Sequence, residues 1–253
     1  MPRIQSIEIV EDRTASSRCD EGFLHVRRYR ARNRRADGSA SSVYRIDVVD
    51  RPSLDAVAVC LWARTPRGVE VLLRRQLRPA VHFRSGRKRA MPERDLLLFE
   101  ELVAGVLEPG ERGLEALRRR AVEEVREEAG LAVAPESLEP LGAGFYMLPG
   151  IVSEKIHLLA ARVERGTAPA AFDAPEEGDG SPMEEGATLA WRRLDEAIAA
   201  CESGEIEDAK TEVALRRLRD RVGAVEGPGS PGGAPDRGVP AAAGAEGLPG
   251  RPL

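Results

Sequence analysis

The sequence predicts an α+β fold that begins with a small antiparallel sheet. Short runs in residues 4–50 alternate apolar and polar side chains, which is typical of antiparallel strands. The later stretch 105–131 is strongly helical and rich in Glu and Arg, and two further helical patterns follow near the carboxyl end. With 253 residues, 42% of them hydrophobic, the chain can bury a sizeable core as one large domain or two small ones.

The first half of the chain predicts strands. Three of them, over residues 4–10, 23–29 and 42–49, are separated by polar turns such as 36–38. Residues 56–63 and 70–74 flank the sequence Thr-Pro-Arg-Gly at 65–68, a pattern that indicates a hairpin. A basic segment at 83–95 contains a glycine and a proline and predicts a loop, and 96–103 predicts a strand.

The second half mixes strands and helices. Strands are predicted over 144–147, 155–163 and 189–193, and a Pro/Gly/acidic segment at 168–186 predicts a mobile loop. Helices are predicted over 195–202 and 208–222, the latter with an apolar stripe at Leu215, Leu218 and Val222. Residues 223–253 are rich in Gly, Pro and Ala without periodicity, which predicts disorder. We therefore divide the chain into 1–52, a β segment, 53–222, the main domain, and 223–253, a tail.

Composition argues against several classes of protein. A formal net charge of −4 gives no electrostatic reason to expect a nucleic-acid partner. The three cysteines, at positions 19, 60 and 201, lack CxxC spacing and cannot all pair, which fits a reducing cytoplasm. Three histidines give little support for a zinc site or a His-based triad. No apolar run approaches the ~18 residues of a membrane span, and no signal peptide is visible.

The helical stretch 105–131 contains four glutamates within the six positions 123–128. On a helix Glu124, Glu127 and Glu128 stand at i, i+3 and i+4, so their like charges share one face and repel. A divalent cation would turn this repulsion into binding, and oxygen ligands of this kind suit Mg²⁺ or Mn²⁺. The alternative is a solvated acidic face balanced by neighbouring arginines. The residues that flank the cluster favour the metal site.

The stretch resembles the Nudix box, Gx5E, seven residues, then REUxEExGU with U aliphatic. The matching positions are Gly105, Glu111, Glu124, Val125, Glu127, Glu128, Gly130 and Leu131. Two departures are visible: four extra residues separate the halves, and Glu123 stands where the family has Arg. Four residues add about one helical turn and rotate the helix by only ~40°, so the glutamate face can survive. We hypothesise that Arg120 orients the carboxylates in place of the missing arginine.

Further matches resemble the ADP-ribose pyrophosphatase branch of that family. They appear in the family's order, at Gln76 to Val81, Glu101 to Gly105, Pro149-Gly150 with Ser153-Glu154, and Ser203 to Thr211 with Ala214-Leu215. Val103 replaces the proline of the second motif. The resemblance implies a Nudix fold, an α/β/α sandwich with a mixed sheet, after the small amino-terminal sheet. It also implies a homodimer, in which the amino-terminal segment reaches the neighbour's substrate site.

The resemblance assigns the candidate site residues. The metal ligands would be Ala104, through its carbonyl, Glu124, Glu127, Glu128 and Glu185, and the catalytic carboxylates Glu127, Glu184 and Glu185. Substrate contacts would come from Arg45, Arg51, Arg78, Val106, Pro149, Gly150 and Glu154. From the residues alone, Arg78 is either a two-pronged phosphate donor or a surface arginine. Pro149-Gly150 is equally an ordinary turn, Arg45 and Arg51 plain surface arginines, and Glu184 and Glu185 part of a solvated acidic loop.

The implied reaction is Mg²⁺- or Mn²⁺-dependent hydrolysis of a nucleoside diphosphate linked to another moiety. For this branch the expected substrate is ADP-ribose, a small nucleotide sugar, split into AMP and ribose 5-phosphate. Three alternatives stay open. The enzyme acts on another nucleotide sugar such as GDP-mannose, the chain is a binding or regulatory module that has lost catalysis, or the helix is purely structural.

Overall fold

The computed structural model describes residues 18, 21–165, 171–174 and 182–226. Several predicted features lie outside these residues. They are the strand over 4–10, the cysteine at position 19, most of the acidic loop and residues 227–253 of the tail.

A small sheet precedes the main domain. Strands β1 (His25–Ala31) and β2 (Tyr44–Asp50) pair antiparallel, with His25 opposite Asp50 and Ala31 opposite Tyr44. Each begins two residues later than the alternation predicted. The small antiparallel sheet expected at this end of the chain is confirmed.

A larger mixed sheet forms the centre of the molecule. Its strands are β3 (Asp55–Thr65), β4 (Gly68–Leu77), β5 (Leu98–Glu101), β6 (Val103–Val106), β7 (Glu139–Pro140), β8 (Phe145–Tyr146), β9 (Lys155–Arg162), β10 (Ala171–Asp173) and β11 (Thr188–Arg193). The main order is β10-β11-β4-β3-β9-β7, while β5 pairs with β4, β6 with β3 and β8 with β9. Strands β3 and β9 run parallel, and the other described pairs are antiparallel.

In the described part of the chain, four α-helices accompany the sheet: α1 (Pro79–His82), α2 (Gly113–Ala129), α3 (Leu194–Glu202) and α4 (Ala209–Glu226). Two 3-10 turns lie at Pro135–Ser137 and Pro182–Glu184. Helix α4 runs four residues beyond the predicted end at 222, so the tail boundary predicted at 223 falls inside this helix. The predicted loop 168–186 contains strand β10 and a 3-10 turn, because Ala171–Asp173 pairs with the edge of β11.

Helices cover both faces of the sheet. On one face Val57, Val59 and Leu61 of β3 pack with Ala121 and Val125 of α2. Ala58 and Cys60, alternate residues of the same strand, belong to the cluster formed with α3 and α4. Because successive side chains of a strand point to opposite faces, a strand buried on both sides needs an uninterrupted apolar run. The α+β class is confirmed, and the core occupies both sides of one mixed sheet.

The central strands separate at one end. Strand β4 pairs with β3 over Gly68–Val71 but with β5 over Arg74–Leu77. Strand β3 likewise pairs with β6 near its start, from Ala56 to Val59. The segment predicted as a single strand over 96–103 is therefore two strands, β5 and β6. The break falls at Leu102, whose backbone N–H donates to Thr211 Oγ1 at 3.0 Å instead of to a neighbouring strand.

Among the described residues no helix is long and apolar enough to cross a membrane.

Candidate active site

The glutamate cluster lies at the carboxyl end of α2. This helix is continuous over 17 residues, so the four additional residues lengthen it without breaking it. It ends at Gly130, whose φ of 65° is the left-handed conformation that glycine adopts most easily. The N–H of Gly130 donates to Arg126 O at 3.1 Å. Glu124, Glu127 and Glu128 therefore keep the spacing predicted from the sequence.

Glu124 lies directly against strand β6. A Cβ atom added to Gly105 would overlap the Glu124 carboxyl group, so no larger residue fits at this position without displacing it. This close approach gives a physical reason for glycine at the first position of the box-like motif.

Glu128 is buried, with 6% of its surface exposed, and its two carboxylate oxygens have different partners. Oε2 accepts a hydrogen bond from the backbone N–H of Ala104 at 3.0 Å. Oε1 is ion-paired with Arg74 of β4, which is itself only 2% exposed. Arg74 also donates through Nη2 to Glu184 Oε1 at 3.0 Å. One buried guanidinium thus joins α2, β4 and the 3-10 turn that ends at Glu184.

The half-buried Glu124 and the buried Glu128 both have raised pKa values. Burial, together with the nearby Glu128 charge, raises the pKa of Glu124 to about 8, although Arg120 opposes the shift. Burial also raises the pKa of Glu128 to about 7, although Arg74 and the Ala104 N–H act in the opposite direction. The desolvated, like-charged pair would gain from a cation that replaced these protons.

A second charged group, missed by the sequence reasoning, lies beside the first. Glu101 is 1% exposed and accepts hydrogen bonds from Gln76 Nε2 at 2.9 Å, from Arg78 Nε and from Lys210 Nζ. Burial alone would raise the pKa of Glu101, but Lys210 and Arg78 outweigh it and lower the pKa to about 2. Glu101 and Lys210 belong to the two matches Glu101 to Gly105 and Ser203 to Thr211. These matches were the signal in the sequence, although neither of the two residues was expected to have a role.

The other predicted metal and catalytic carboxylates, Glu127, Glu184 and Glu185, are more exposed than Glu128. The Glu127 carboxylate bonds Arg126 Nη2 at 2.9 Å and is about one-third exposed. Glu185 is exposed, and it is Glu184 that reaches Arg74. No group of three or more His, Cys, Asp or Glu side chains within the described ranges is arranged to hold a metal ion.

The predicted substrate contacts fall into separate places. Arg51 and Glu154 form an ion pair, and Arg51 Nε also donates to Ser53 O at 3.0 Å. Arg78 lies at the end of β4, 43% exposed, beside the buried carboxylates. The others are at the surface or half-buried: Arg45 exposed on β2, Pro149 and Gly150 in an exposed turn, and Val106 half-buried at the end of β6.

Arg120 links the start of the box-like motif to the glutamate helix. Its Nη2 is 3.4 Å from Glu111 Oε2, and its Nη1 is 3.1 Å from Glu123 Oε2. Arg119 also donates to Glu111, at 2.9 Å. Arg120 acts on Glu124 through its charge, without a direct hydrogen bond. The contacts of Arg120 are thus with Glu111 and Glu123, and its orienting role stays a hypothesis.

The chemistry of the donors fits a hard divalent cation. Glu124 and Glu128 supply buried carboxyl oxygens that repel one another, and the backbone of Ala104 adjoins them in β6. Mg²⁺ and Mn²⁺ prefer such oxygen ligands and often bind through few protein groups plus substrate phosphates.

Three known proteins that are similar to this chain have the same name. The chain is 29% identical over 198 residues to the ADP-ribose pyrophosphatases of Escherichia coli K12, Escherichia coli O157:H7 and Shigella flexneri. Each alignment covers 78% of this chain and 82% of the relative. No family model matches the chain. The names of these relatives indicate a pyrophosphatase, at modest identity and at the level of the protein class.

Proposed function

We propose that this protein is a Nudix-type hydrolase that cleaves a nucleoside diphosphate linked to a sugar, with ADP-ribose as the first substrate to test. The observation that carries the proposal is a pair of carboxyl groups, the half-buried Glu124 against Gly105 and the buried Glu128, flanked by Arg74 and Arg78. The similarity to ADP-ribose pyrophosphatases supports the choice of substrate. The mixed sheet with helices on both faces is consistent with the α/β/α Nudix fold.

The proposed cofactor is Mg²⁺ or Mn²⁺, held by Glu124 and Glu128 with Glu127, Glu185 and the Ala104 carbonyl as further candidates. A bound divalent ion would neutralise negative charge on the phosphate oxygens and would lower the pKa of bound water.

The chain's own residues have separable tasks in this reaction. Arg78, with its Nε fixed on Glu101, offers a planar donor to a phosphate. Arg74 fixes the orientation of Glu128 and brings Glu184 to the same place. Glu184 is our first choice for the base that takes a proton from water, ahead of Glu127 and Glu185, because it alone of the three contacts the buried arginine. Water attack on phosphorus then breaks one P–O bond of the diphosphate and yields AMP and ribose 5-phosphate.

Arg51 and Glu154 are proposed to contact the substrate. Their ion pair connects the end of β2 in the small sheet with the start of β9 in the main domain. The resemblance alone supports the substrate contacts that we propose for Arg45, Val106, Pro149 and Gly150. The homodimer and the cytoplasmic location also stay predictions.

A second candidate is a nucleotide-binding module without catalysis. It is favoured by the pairing of Glu128 with Arg74 and of Glu127 with Arg126, since each carboxylate already has a cationic partner.

A product assay separates these functions. Purified protein is incubated with ADP-ribose, GDP-mannose and other nucleotide sugars, with Mg²⁺, with Mn²⁺ and with excess EDTA. We expect AMP from ADP-ribose with either metal and none in EDTA. Binding of ADP-ribose without release of AMP would favour the binding module, activity that persists in EDTA would reject the metal, and preferred turnover of another sugar would correct the substrate.

A further inference from the structure

A buried cluster of charged side chains lies where β4, β5 and the start of α4 meet. We call it the Glu101 cluster and define it by Gln76, Arg78, Glu101, Asp208 and Lys210. Three donors, the amide of Gln76, the guanidinium of Arg78 and the ammonium of Lys210, bond the Glu101 carboxylate. A buried carboxylate needs such partners, because an unpaired charge in the interior is strongly destabilising.

The first turn of α4 fixes the position of Lys210. Asp208 Oδ2 accepts the backbone N–H of Thr211 at 3.0 Å, in the manner of a helix cap, and also accepts Lys210 Nζ at 2.9 Å. Thr211 Oγ1 bonds Asp208 and accepts the N–H of Leu102. The turn is therefore joined to the β5–β6 junction at two points. Lys210 is held between Asp208 and Glu101, with 14% of its side chain exposed.

Arg78 is the member of the cluster that faces the proposed substrate. Its Nε bonds Glu101, which is buried, while 43% of the Arg78 side chain is exposed. It is also close enough to Glu128 and Asp208 to interact with their charges. Arg78 thus combines a buried anchor with an accessible guanidinium, which is the arrangement needed to present a donor in a fixed direction.

We propose that Lys210 is a positioning residue for phosphate recognition: it holds Glu101 in place, and Glu101 holds the guanidinium of Arg78 toward a substrate phosphate. This inference rests on the proposed function. Without the ammonium group, Glu101 and Asp208 would face one another as buried carboxylates with no cation between them. Their repulsion would displace Glu101, and Arg78 would lose its anchor. The first turn of α4 would in this way control substrate affinity without touching the substrate.

The anchor can be tested without substrate. The exchange rate of the Arg78 Nε–H proton with water, measured by NMR, should be slow in the wild-type protein and at least about tenfold faster in Lys210→Met, because its hydrogen bond to Glu101 is lost. Lys210→Arg, which keeps the charge, should restore slow exchange. The matched control is Thr211→Val, which removes buried hydrogen bonds of the same turn and should lower the melting temperature without speeding Arg78 exchange. Unchanged exchange in Lys210→Met would overturn the proposal. If Lys210→Met does not fold, Lys210→Gln takes its place with the same two outcomes.

Kinetics then test the link to the phosphate. With ADP-ribose and Mg²⁺, Lys210→Met should raise KM about tenfold or more and change kcat less, since Arg78 binds phosphate before and during the reaction. In an Arg78→Ala background Lys210→Met should add no further rise in KM. Independent, multiplicative effects of the two substitutions would contradict the proposal. If the wild-type protein hydrolyses no nucleotide sugar, the proposed function fails, while the exchange measurement still decides the role of Lys210.

Discussion

Glu128 has an environment that favours two incompatible states, and this makes it the most informative residue of the site. Its burial favours the protonated carboxyl, with a pKa of about 7, whereas Arg74 and the Ala104 N–H favour the anion. A group so placed changes its charge readily when a neighbouring charge changes. The buried Arg74, which contacts both Glu128 and Glu184, is therefore where a cation or a phosphate would have its largest effect.

Glu128→Gln should abolish most turnover while leaving the protein folded. Gln keeps the size of Glu128 but places an NH2 group against one of its two donors and leaves the buried Arg74 without that carboxylate, so the melting temperature should fall while the protein still folds. Loss of a charged ligand should lower kcat by on the order of a hundredfold. The control is Glu115→Gln in the same helix, because the Glu115 side chain is 81% exposed and bonds only a neighbouring arginine, Arg118, among the described contacts. Near-normal kcat in Glu128→Gln would contradict its metal role.

Gly105→Ala should damage both stability and activity. The new Cβ would overlap Glu124, so the carboxylate or β6 must move, at a cost of about 1–3 kcal/mol in the free energy of unfolding. Urea unfolding and AMP release measure the two effects. Gly223→Ala in α4 is the matched control: apart from its chain neighbours and the backbone of its own helix, no described atom lies within 4 Å of the added Cβ, and removing a helical glycine should stabilise by about 0.5–1 kcal/mol. Equal effects at the two positions would show that Gly105 has no special contact.

At the scale of the element, two glutamates of helix α2 should make the free energy of unfolding depend on pH. The dependence should be visible in EDTA, which removes divalent cations. The pKa values of Glu124 and Glu128, about 8 and about 7, lie above the ordinary value of 4.5. The folded protein therefore binds more protons than the unfolded chain between pH 4.5 and 8, and its stability falls as pH rises through that range. We expect the free energy of unfolding, measured with urea, to fall by several kcal/mol from pH 5 to pH 9.

Two comparisons sharpen that measurement. Glu124→Gln removes one of the two groups and should flatten the dependence, whereas Mg²⁺ should restore stability mainly at high pH, where it does not compete with protons. A stability that rises over the same range would contradict the burial of the pair.

The elements themselves were predictable where the pattern is local. The apolar run of β3, the hairpin at 65–68 and the stripe of α4 each appear in a short window of sequence. The division of 96–103 into β5 and β6 was not predictable, because it depends on Thr211, which lies 109 residues from Leu102 in the chain. Strand β10 was missed for a similar reason: three residues of weak pattern become a strand only beside β11.

At the scale of the whole molecule, apolar side chains are exposed around the junction of the small sheet and the main domain. Phe23, Leu24, Leu148 and Ile151 are each about half exposed or more. Two contacts place them near one another: Val49 N donates to Ile151 O, and Arg51 lies over the Phe23 ring. Exposed apolar side chains near one another are typical of protein interfaces, and we offer this region as the surface for the homodimer expected from the resemblance.

Light scattering after size exclusion should therefore give about twice the chain mass of 27.4 kDa. The double variant Phe23→Glu with Ile151→Glu should be monomeric, since buried charges would face one another across the interface. Met91→Glu is the control, because Met91 is also apolar, is 71% exposed and lies in the loop after α1. A monomeric wild-type protein would remove the dimer from the proposal.

The sequence by itself determined the α+β class, the amphipathic strands and helices, and the spacing of Glu124, Glu127 and Glu128, because each depends on neighbours within a few residues. Only the tertiary structure decided which charges meet. Arg74 and Glu128 are 54 residues apart, Arg74 and Glu184 are 110, and Glu101 and Lys210 are 109. No local pattern encodes such pairs. They form because burial on the sheet leaves each charge dependent on the partner that the fold brings to it.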